Sequence, residues 1–188
     1  MAVNPCDLSH LTSAEDGCVE QLSGTGTMAY FINMADMKTM PTFDKDNPAY
    51  FVDTAFDQTA FNEGKGAFKV ELRNDANNIK PTSVKTKKGF NQVLTAVTDI
   101  ISATSAKFMR NVNNINHIAI LLETGTDEFY VLCNSQKKGT LQIEGDTGTQ
   151  SSDDSGYTFT YTQWQIYPLC YYKGTVAIAG EATPPSGS

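Results

Sequence analysis

Histidine and cysteine are scarce in this chain, and their scarcity argues against most metal chemistry. Only two histidines occur, His10 and His117, and neither belongs to an HExxH motif. The four cysteines are widely dispersed, at Cys6, Cys18, Cys133 and Cys170. Their spacing fits neither a CxxC zinc pattern nor a disulfide framework. We therefore expect reduced thiols and no metal. Whether Cys6 and Cys18 form a disulfide in an oxidising compartment stays an open question.

The chain also lacks basic clusters and long apolar runs. Acidic residues outnumber lysines and arginines by 21 to 14, and the basic residues are scattered. Tight binding of a phosphate backbone needs concentrated basic side chains, so we do not expect it, whereas an acidic surface can repel DNA along a smooth conduit. No segment reaches the roughly 18 apolar residues of a membrane span, and no signal peptide is visible. We expect no membrane association.

Motifs of catalysis and nucleotide binding are incomplete. Asp146, Thr147 and Gly148 spell the D-T-G of aspartic proteases, but a polar stretch follows them where the protease pattern needs apolar flanks. Gly24 and Gly26 form a G-x-G without a third glycine, and a strand pattern follows where a phosphate-binding helix should begin. The sequence predicts no cofactor and no enzyme. A hydrolase that uses Asp146 is one alternative.

The residues that are abundant favour strands. The chain has 188 residues, 40% of them hydrophobic, with ten Phe and eight Tyr beside many Val, Ile and Thr. Turn signals come at close spacing, and one short segment has helical periodicity. The order predicts a mainly β fold, a sandwich or small barrel with one short flanking α-helix. We divide the chain into an irregular arm (1–23), one β-rich domain (24–180) and a flexible tail (181–188).

Several segments carry clear periodicity. Residues 102–114 favour a helix, with Ser102, Thr104 or Ser105 as N-cap and an apolar face that includes Met109. Residues 117–134 predict a hairpin. Residues 82–102 look like one long stretch whose second half is buried on both faces, from Phe90 to Ile101. Strands are also expected near residues 27–37, 139–146, 157–167 and 170–180.

A long segment, residues 37–64, separates two strands and is rich in aromatics: Phe43, Tyr50, Phe51, Phe56 and Phe61. Structureless loops of this length are uncommon in compact domains unless they have a role. The aromatics either pack on the domain's own surface or are buried against a neighbouring subunit. On the second interpretation they are candidate assembly residues, and the loop and the 1–23 arm become ordered only in the assembly.

The strand pattern of residues 66–74 separates two kinds of side chain. Phe68, Val70 and Leu72 alternate with the charged residues Lys69, Glu71 and Arg73. One face should therefore be core, and the other should meet water or a polar partner.

The order of segments resembles the major tail tube proteins of long-tailed bacteriophages over roughly residues 24–178. The resemblance rests on KVELRN, then TSVKTKKGF before a long apolar strand, the helix SAKFMRNVNN and the hairpin HIAILLETGTDEFYVLCN. DDSGYTFTYT and YPLCYYKGTV follow in the same order. The family implies a β-sandwich or small barrel with a helix, whose copies join into hexameric rings. The rings stack into a β-lined tube through which viral DNA passes without specific binding.

On this resemblance the chain is a virion tail protein, assembled in the host cytoplasm, with itself as main partner and tape-measure, sheath or terminator proteins as others. Lys69, Glu71 and Arg73 are then candidate lumen residues. The alternatives are a tube subunit of a contractile injection or secretion machine, with protein cargo, and a monomeric β-barrel module that binds a small ligand. The host, the presence of a sheath and the number of subunits per ring stay open.

Overall fold

The computed structural model describes residues 25–125, 128–148 and 155–180, which form two antiparallel sheets packed face to face. The five-stranded sheet has the order β2 (Phe68–Glu71), β1 (Met28–Asn33), β5 (Ile118–Glu123), β6 (Phe129–Leu132) and β9 (Tyr171–Tyr172). The four-stranded sheet has the order β3 (Asn78–Val84), β4 (Gly89–Thr98), β8 (Gly156–Gln165) and β7 (Thr140–Asp146). The predicted mainly β sandwich with one helix is confirmed. The predicted arm 1–23 and tail 181–188 lie outside the described residues.

The core between the sheets follows from strand alternation. Phe31 and Ile120 of the five-stranded sheet face Leu94, Phe159 and Tyr161 of the four-stranded sheet, and all five are at most 1% exposed. The rings of Phe31 and Phe159 lie 5.1 Å apart. Apolar burial of this kind supplies most of the driving force for folding. It fixes which face of each strand points inward.

The helix α1 (Ala103–Asn113) closes one side of the sandwich. It begins at Ser102, whose hydroxyl accepts a hydrogen bond from Ser105 N at 3.0 Å, while Ser105 Oγ accepts one from Ser102 N at 2.8 Å. This capping box satisfies two backbone donors that a helix start leaves free. Met109 and Val112 are buried in the core between the sheets. The predicted helix is confirmed, with Ser102 as its N-cap. No helix among the described residues is long and apolar enough to cross a membrane.

The aromatic loop is a third layer, which we call the loop layer (residues 37–64 with 167–178). It covers the face of the five-stranded sheet that points away from the other sheet, where Tyr30, Ile32 and Leu121 lie. Phe51, Phe56 and Phe61 are 3%, 0% and 4% exposed. These three rings are buried within their own domain, so the expectation that they are buried against a neighbouring subunit is wrong. They are buried because the outer face of this sheet is itself apolar and needs a cover.

The other two loop aromatics are only half-buried. Phe43 stacks on Phe51 with ring centroids 4.4 Å apart, and Tyr50 stacks on Tyr171 at 5.3 Å. Both nevertheless pack on their own domain. The deletion of residues 37–64 would therefore remove part of the core, so the segment is not a dispensable assembly loop.

Two expectations about strands need correction. Residues 82–102 are not one stretch, because β3 and β4 form a hairpin joined by a 3-10 turn at Lys85–Lys87, with Lys88 at φ 48°. The predicted burial of both faces also fails, since β4 ends at Thr98 and Ile100 and Ile101 beyond it are 48% and 44% exposed.

The alternation of buried and exposed side chains in β2 is likewise imperfect. Val70 and Leu72 are buried as predicted, but Phe68 is 43% exposed. Its strand lies at the edge of the sheet, where the facing sheet no longer covers it, and it meets only Phe108 of the helix at 6.4 Å.

Candidate assembly surfaces

The face of the four-stranded sheet that points away from the core is polar and carries little charge. Leu94, Ala96, Phe159 and Tyr161 point inward, so the alternate residues point outward, and the pairing of Thr95 with Thr160 places them side by side. The outward polar residues are Asn78, Lys80, Thr82, Asn91, Thr95, Thr140, Gln142, Glu144, Asp146, Thr158, Thr160 and Thr162. Val84, Val93, Val97 and Trp164 also point outward. Hydroxyl and amide groups are the most frequent groups on this surface, which we call the threonine face.

Neither edge strand of the four-stranded sheet is paired with a further strand in the described part of the chain, although α1 contacts β7. Among the described residues, no strand or backbone hydrogen bond occupies the outer side of β3 or of β7. Three antiparallel pairings separate β3 from β7, so the two edge strands run in opposite directions. Open edges are templates for further pairing. The β7 strand of one copy could therefore continue the antiparallel order next to β3 of another.

The five-stranded sheet is covered along its β9 edge. Phe51 N donates to Tyr171 O at 2.9 Å and Tyr171 N to Ala49 O at 3.0 Å. At the other edge, Ala67 N donates to Ala177 O at 2.7 Å, which covers the residue before β2 but not β2 itself. The loop layer thus shields this sheet on its outer face and along β9. Both edge strands of the four-stranded sheet, by contrast, have an unpaired outer side among the described residues.

The structure does not bring Lys69, Glu71 and Arg73 together on one strand face. Lys69 and Glu71 are exposed at the edge of the five-stranded sheet, on its loop-layer side, and the Lys69 ammonium lies 5.9 Å from the Tyr30 ring centre. Arg73 follows the end of β2, where its Nε donates to Asp99 Oδ1 at 2.6 Å. The polar face predicted from this strand is therefore a small edge patch.

Sequence reasoning missed the threonine face as a candidate surface. Its signal was present in the regular alternation of Thr158, Thr160 and Thr162 with buried aromatic and amide residues. The assignment of that alternation to an exposed face of a second sheet needed the strand order, which no local pattern provides.

Two clefts lie at the margins of the sandwich. The larger, about 450 Å³, lies beside the end of α1 and is lined by Asn33, Met40, Asn114, His117 and Lys138, among others. The ring of His117 is held by a 2.8 Å hydrogen bond between its Nε2 and Asn134 O. The smaller, about 230 Å³, lies between β2 and the start of α1. No group of three or more His, Cys, Asp or Glu side chains that could hold a metal ion occurs among the described residues.

The D-T-G sequence lies at the exposed end of β7. Gly148 N donates to Asp146 Oδ1 at 2.9 Å, which makes the three residues a small turn. His10, Cys6 and Cys18 lie outside the described residues. In the part of the chain that the structure describes, the candidate catalytic residues Asp146 and His117 stand at opposite ends of the sandwich.

The buried ionisable groups favour their neutral forms. Burial raises the pKa of Cys170 to about 12, and it raises the pKa of Cys133, Tyr161 and Tyr172 as well. A nucleophilic thiol needs a lowered pKa and access to solvent, and Cys133 and Cys170 are each 1% exposed. These groups behave as parts of the core.

Their raised pKa values predict that stability declines in alkaline solution. The ordinary values are 9.0 for the thiols and 10.0 for the tyrosines, so the unfolded chain loses these protons first as pH rises. The folded state then binds more protons than the unfolded state, and the free energy of unfolding falls with pH. We expect it to be level up to about pH 8, to fall from about pH 9 and to fall faster above about pH 10.

Urea titrations from pH 7 to pH 11 would measure this decline. Cys133→Ala should show a smaller fall between about pH 9 and pH 10, because one buried thiol no longer ionises on unfolding. A free energy of unfolding that stays constant up to pH 11 would contradict the expected burial of these groups.

Comparisons with known proteins identify no relative of this chain. No protein-family model matches the chain, and neither the curated proteins nor the solved structures give a match. The residues that the structure describes form a two-sheet antiparallel β-sandwich with one α-helix and a loop layer.

Proposed function

We propose that this chain is a structural, non-enzymatic subunit whose copies join through β3 and β7 into closed rings that form a tube. The observation that carries the proposal is the pair of oppositely directed edge strands on one sheet, each with an unpaired outer side in the described part of the chain, while the other sheet is covered on its outer face and along β9. Pairing β7 with β3 of the next copy is a head-to-tail contact, and a head-to-tail contact that closes makes a ring. Closure removes every open edge of that sheet.

In such a ring the threonine face lines the channel. Most of its polar side chains carry uncharged hydroxyl or amide groups. The charged residues on this face are Lys80, Glu144 and Asp146. A wall with so few cations offers little attraction to phosphates, because that attraction comes from lysine and arginine. This surface suits DNA that must pass without binding. It replaces the patch of Lys69, Glu71 and Arg73 as our candidate lumen.

The resemblance to phage tail tube proteins supplies the rest of the proposal. On that basis the rings are hexamers in the virion tail, and tape-measure, sheath or terminator proteins are the further partners. A tube subunit of a contractile injection machine has the same requirements, with protein as cargo. The cleft of about 450 Å³ near His117 favours a second candidate, a monomeric module that binds a small ligand.

Charge on the edge strand tests the proposal. Gln142→Lys with Glu144→Lys places two lysines on β7, where they would oppose Lys80 of the neighbouring β3, and lysines on an edge strand discourage pairing. We expect a folded monomer that forms no rings. Negative-stain microscopy and light scattering at high protein concentration would measure the assembly state.

The matched control places the same lysines on the same face but on an inner strand. Thr160→Lys with Thr162→Lys changes β8, whose two sides are already paired with β4 and β7. This control should still form rings. If wild-type protein stays monomeric at all concentrations, or if the β7 variant assembles as well as wild type, the edge-pairing proposal is wrong.

A further inference from the structure

Charge is distributed unevenly along the strand direction. At one end lie the connections from β2 to β3, from β4 to α1 and from β5 to β6, with the last residues of several strands. The carboxylates of this acidic end are Glu71, Asp75, Asp99, Glu123, Glu128 and Asp146. Its cations are Arg73, which is paired with Asp99, and Lys173.

The opposite end has the reverse character. This basic end consists of the connections from β3 to β4, from α1 to β5, from β6 to β7 and from β8 to β9, and the loop from β1 to β2 begins and ends there too. The exposed lysines of the four shorter connections are Lys85, Lys88, Lys137 and Lys138. These four connections contain no acidic residue, whereas the two ends of the longer loop carry Asp36 and Glu63 beside Lys38 and Lys65. The neighbouring carboxylate of Asp36 is paired with Lys65, at 3.5 Å.

Each end also exposes apolar side chains. Ile100 and Ile101, 48% and 44% exposed, project from the acidic end. Met40 and Ile166, 46% and 53% exposed, lie at the basic end, where the cleft of about 450 Å³ opens beside Lys138. Both ends therefore offer exposed apolar side chains beside their charged residues.

We propose that the two ends are docking surfaces for a second copy of this chain, with the acidic end of one copy against the basic end of the next. Opposite charges at an interface steer association and suppress the wrong orientation, because like ends repel. The contact joins two different surfaces, so it propagates as a polar stack. The inference rests on the proposed ring for the lateral contact, and it assigns the axial contact between rings.

Removal of the net charge at one end tests the docking surfaces. Lys85→Glu with Lys138→Glu leaves the four shorter connections of the basic end with two lysines and two glutamates, and Glu71→Lys with Asp75→Lys leaves the acidic end with four carboxylates and four cations. Each pair of substitutions therefore cancels the net charge of one end and leaves the other end unchanged. Lysine is compatible with the backbone at Asp75 (φ 56°), since Lys88 adopts φ 48° in this chain. We expect each variant to form rings that no longer stack into tubes at low salt. Wild-type tubes should shorten into rings at about 1 M salt, where the Debye length falls to about 3 Å.

Mixing the rings of the two variants gives the decisive test. Rings of the two variants, combined in equal amounts, should form mixed pairs of stacked rings, because the unchanged acidic end of one variant then meets the unchanged basic end of the other. Lys45→Glu with Lys107→Glu is the matched control: it changes the net charge as much as the basic-end variant but lies on the loop layer and the helix. This control should stack normally.

The outcomes separate the two proposals. Variant rings that stack into tubes as long as those of wild type, or a mixture that forms no mixed pairs, would overturn the axial contact and leave ring formation intact. Wild-type protein that forms neither rings nor stacks would overturn both.

Discussion

The Phe56→Ala variant should lose about 3 to 5 kcal/mol of unfolding free energy, the usual cost of removing a buried phenyl ring. Phe56 is 0% exposed and packs edge-on against Tyr172 and Phe51, with ring centroids 5.0 and 5.7 Å away. Its ring lies in the core cluster that joins the loop layer to the five-stranded sheet. Truncation would leave a cavity there, and the surrounding aromatic rings can collapse only partly.

Urea unfolding measures the effect as a lower midpoint with an unchanged slope. Phe68→Ala is the matched control, because the same truncation at a ring that is 43% exposed removes little buried area. We expect it to change the free energy of unfolding by about 1 kcal/mol or less. If the two variants were equally stable, the loop layer would not belong to the folding core, and the sequence-based view of an assembly loop would return.

The elements that the sequence predicted correctly are those with local periodicity. Helix α1 has a capping serine and apolar residues at helical spacing, and β8 alternates regularly from Thr158 to Gln165. The hairpin of β5 and β6 has two apolar runs around a turn. Patterns of this kind depend on neighbours within a few residues, so they survive without knowledge of the rest of the fold.

The loop layer could not be predicted in the same way, because its burial depends on a sheet face far away in sequence. One signal did point to it. In β1 all of Ala29, Tyr30, Phe31 and Ile32 are buried, and a strand without a polar face must be covered on both sides. Such a run, together with an aromatic segment that has no strand pattern, predicts a third layer. The threonine face and the two charged ends needed the strand order itself.

Buried amides form a polar link between the four-stranded sheet and the connection from β8 to β9. Gln92, 1% exposed, donates from Nε2 to Tyr167 O at 3.1 Å and to Pro168 O at 3.0 Å. Its Oε1 accepts a 2.8 Å hydrogen bond from Gln163 Nε2. The two carbonyl acceptors fix the orientation of the Gln92 amide, and that orientation in turn fixes the orientation of Gln163. Gln163 Oε1 is then left without a hydrogen-bond partner in the part of the chain that the structure describes.

The two glutamines should therefore respond very differently to replacement by leucine. Gln92→Leu leaves two carbonyl groups and the Gln163 amide without their partner, and each buried unsatisfied group costs about 1 to 3 kcal/mol. We expect a loss of about 3 kcal/mol or more in the free energy of unfolding. Gln163→Leu leaves Gln92 Oε1 without its donor but removes Gln163 Oε1, which already lacks a partner. Because one unsatisfied acceptor replaces another, we expect a change within about 1 kcal/mol. Urea titration of both variants would measure the difference. Equal losses would mean that Gln163 Oε1 is satisfied in solution, as a buried water could achieve, and that the two amides contribute alike to the link.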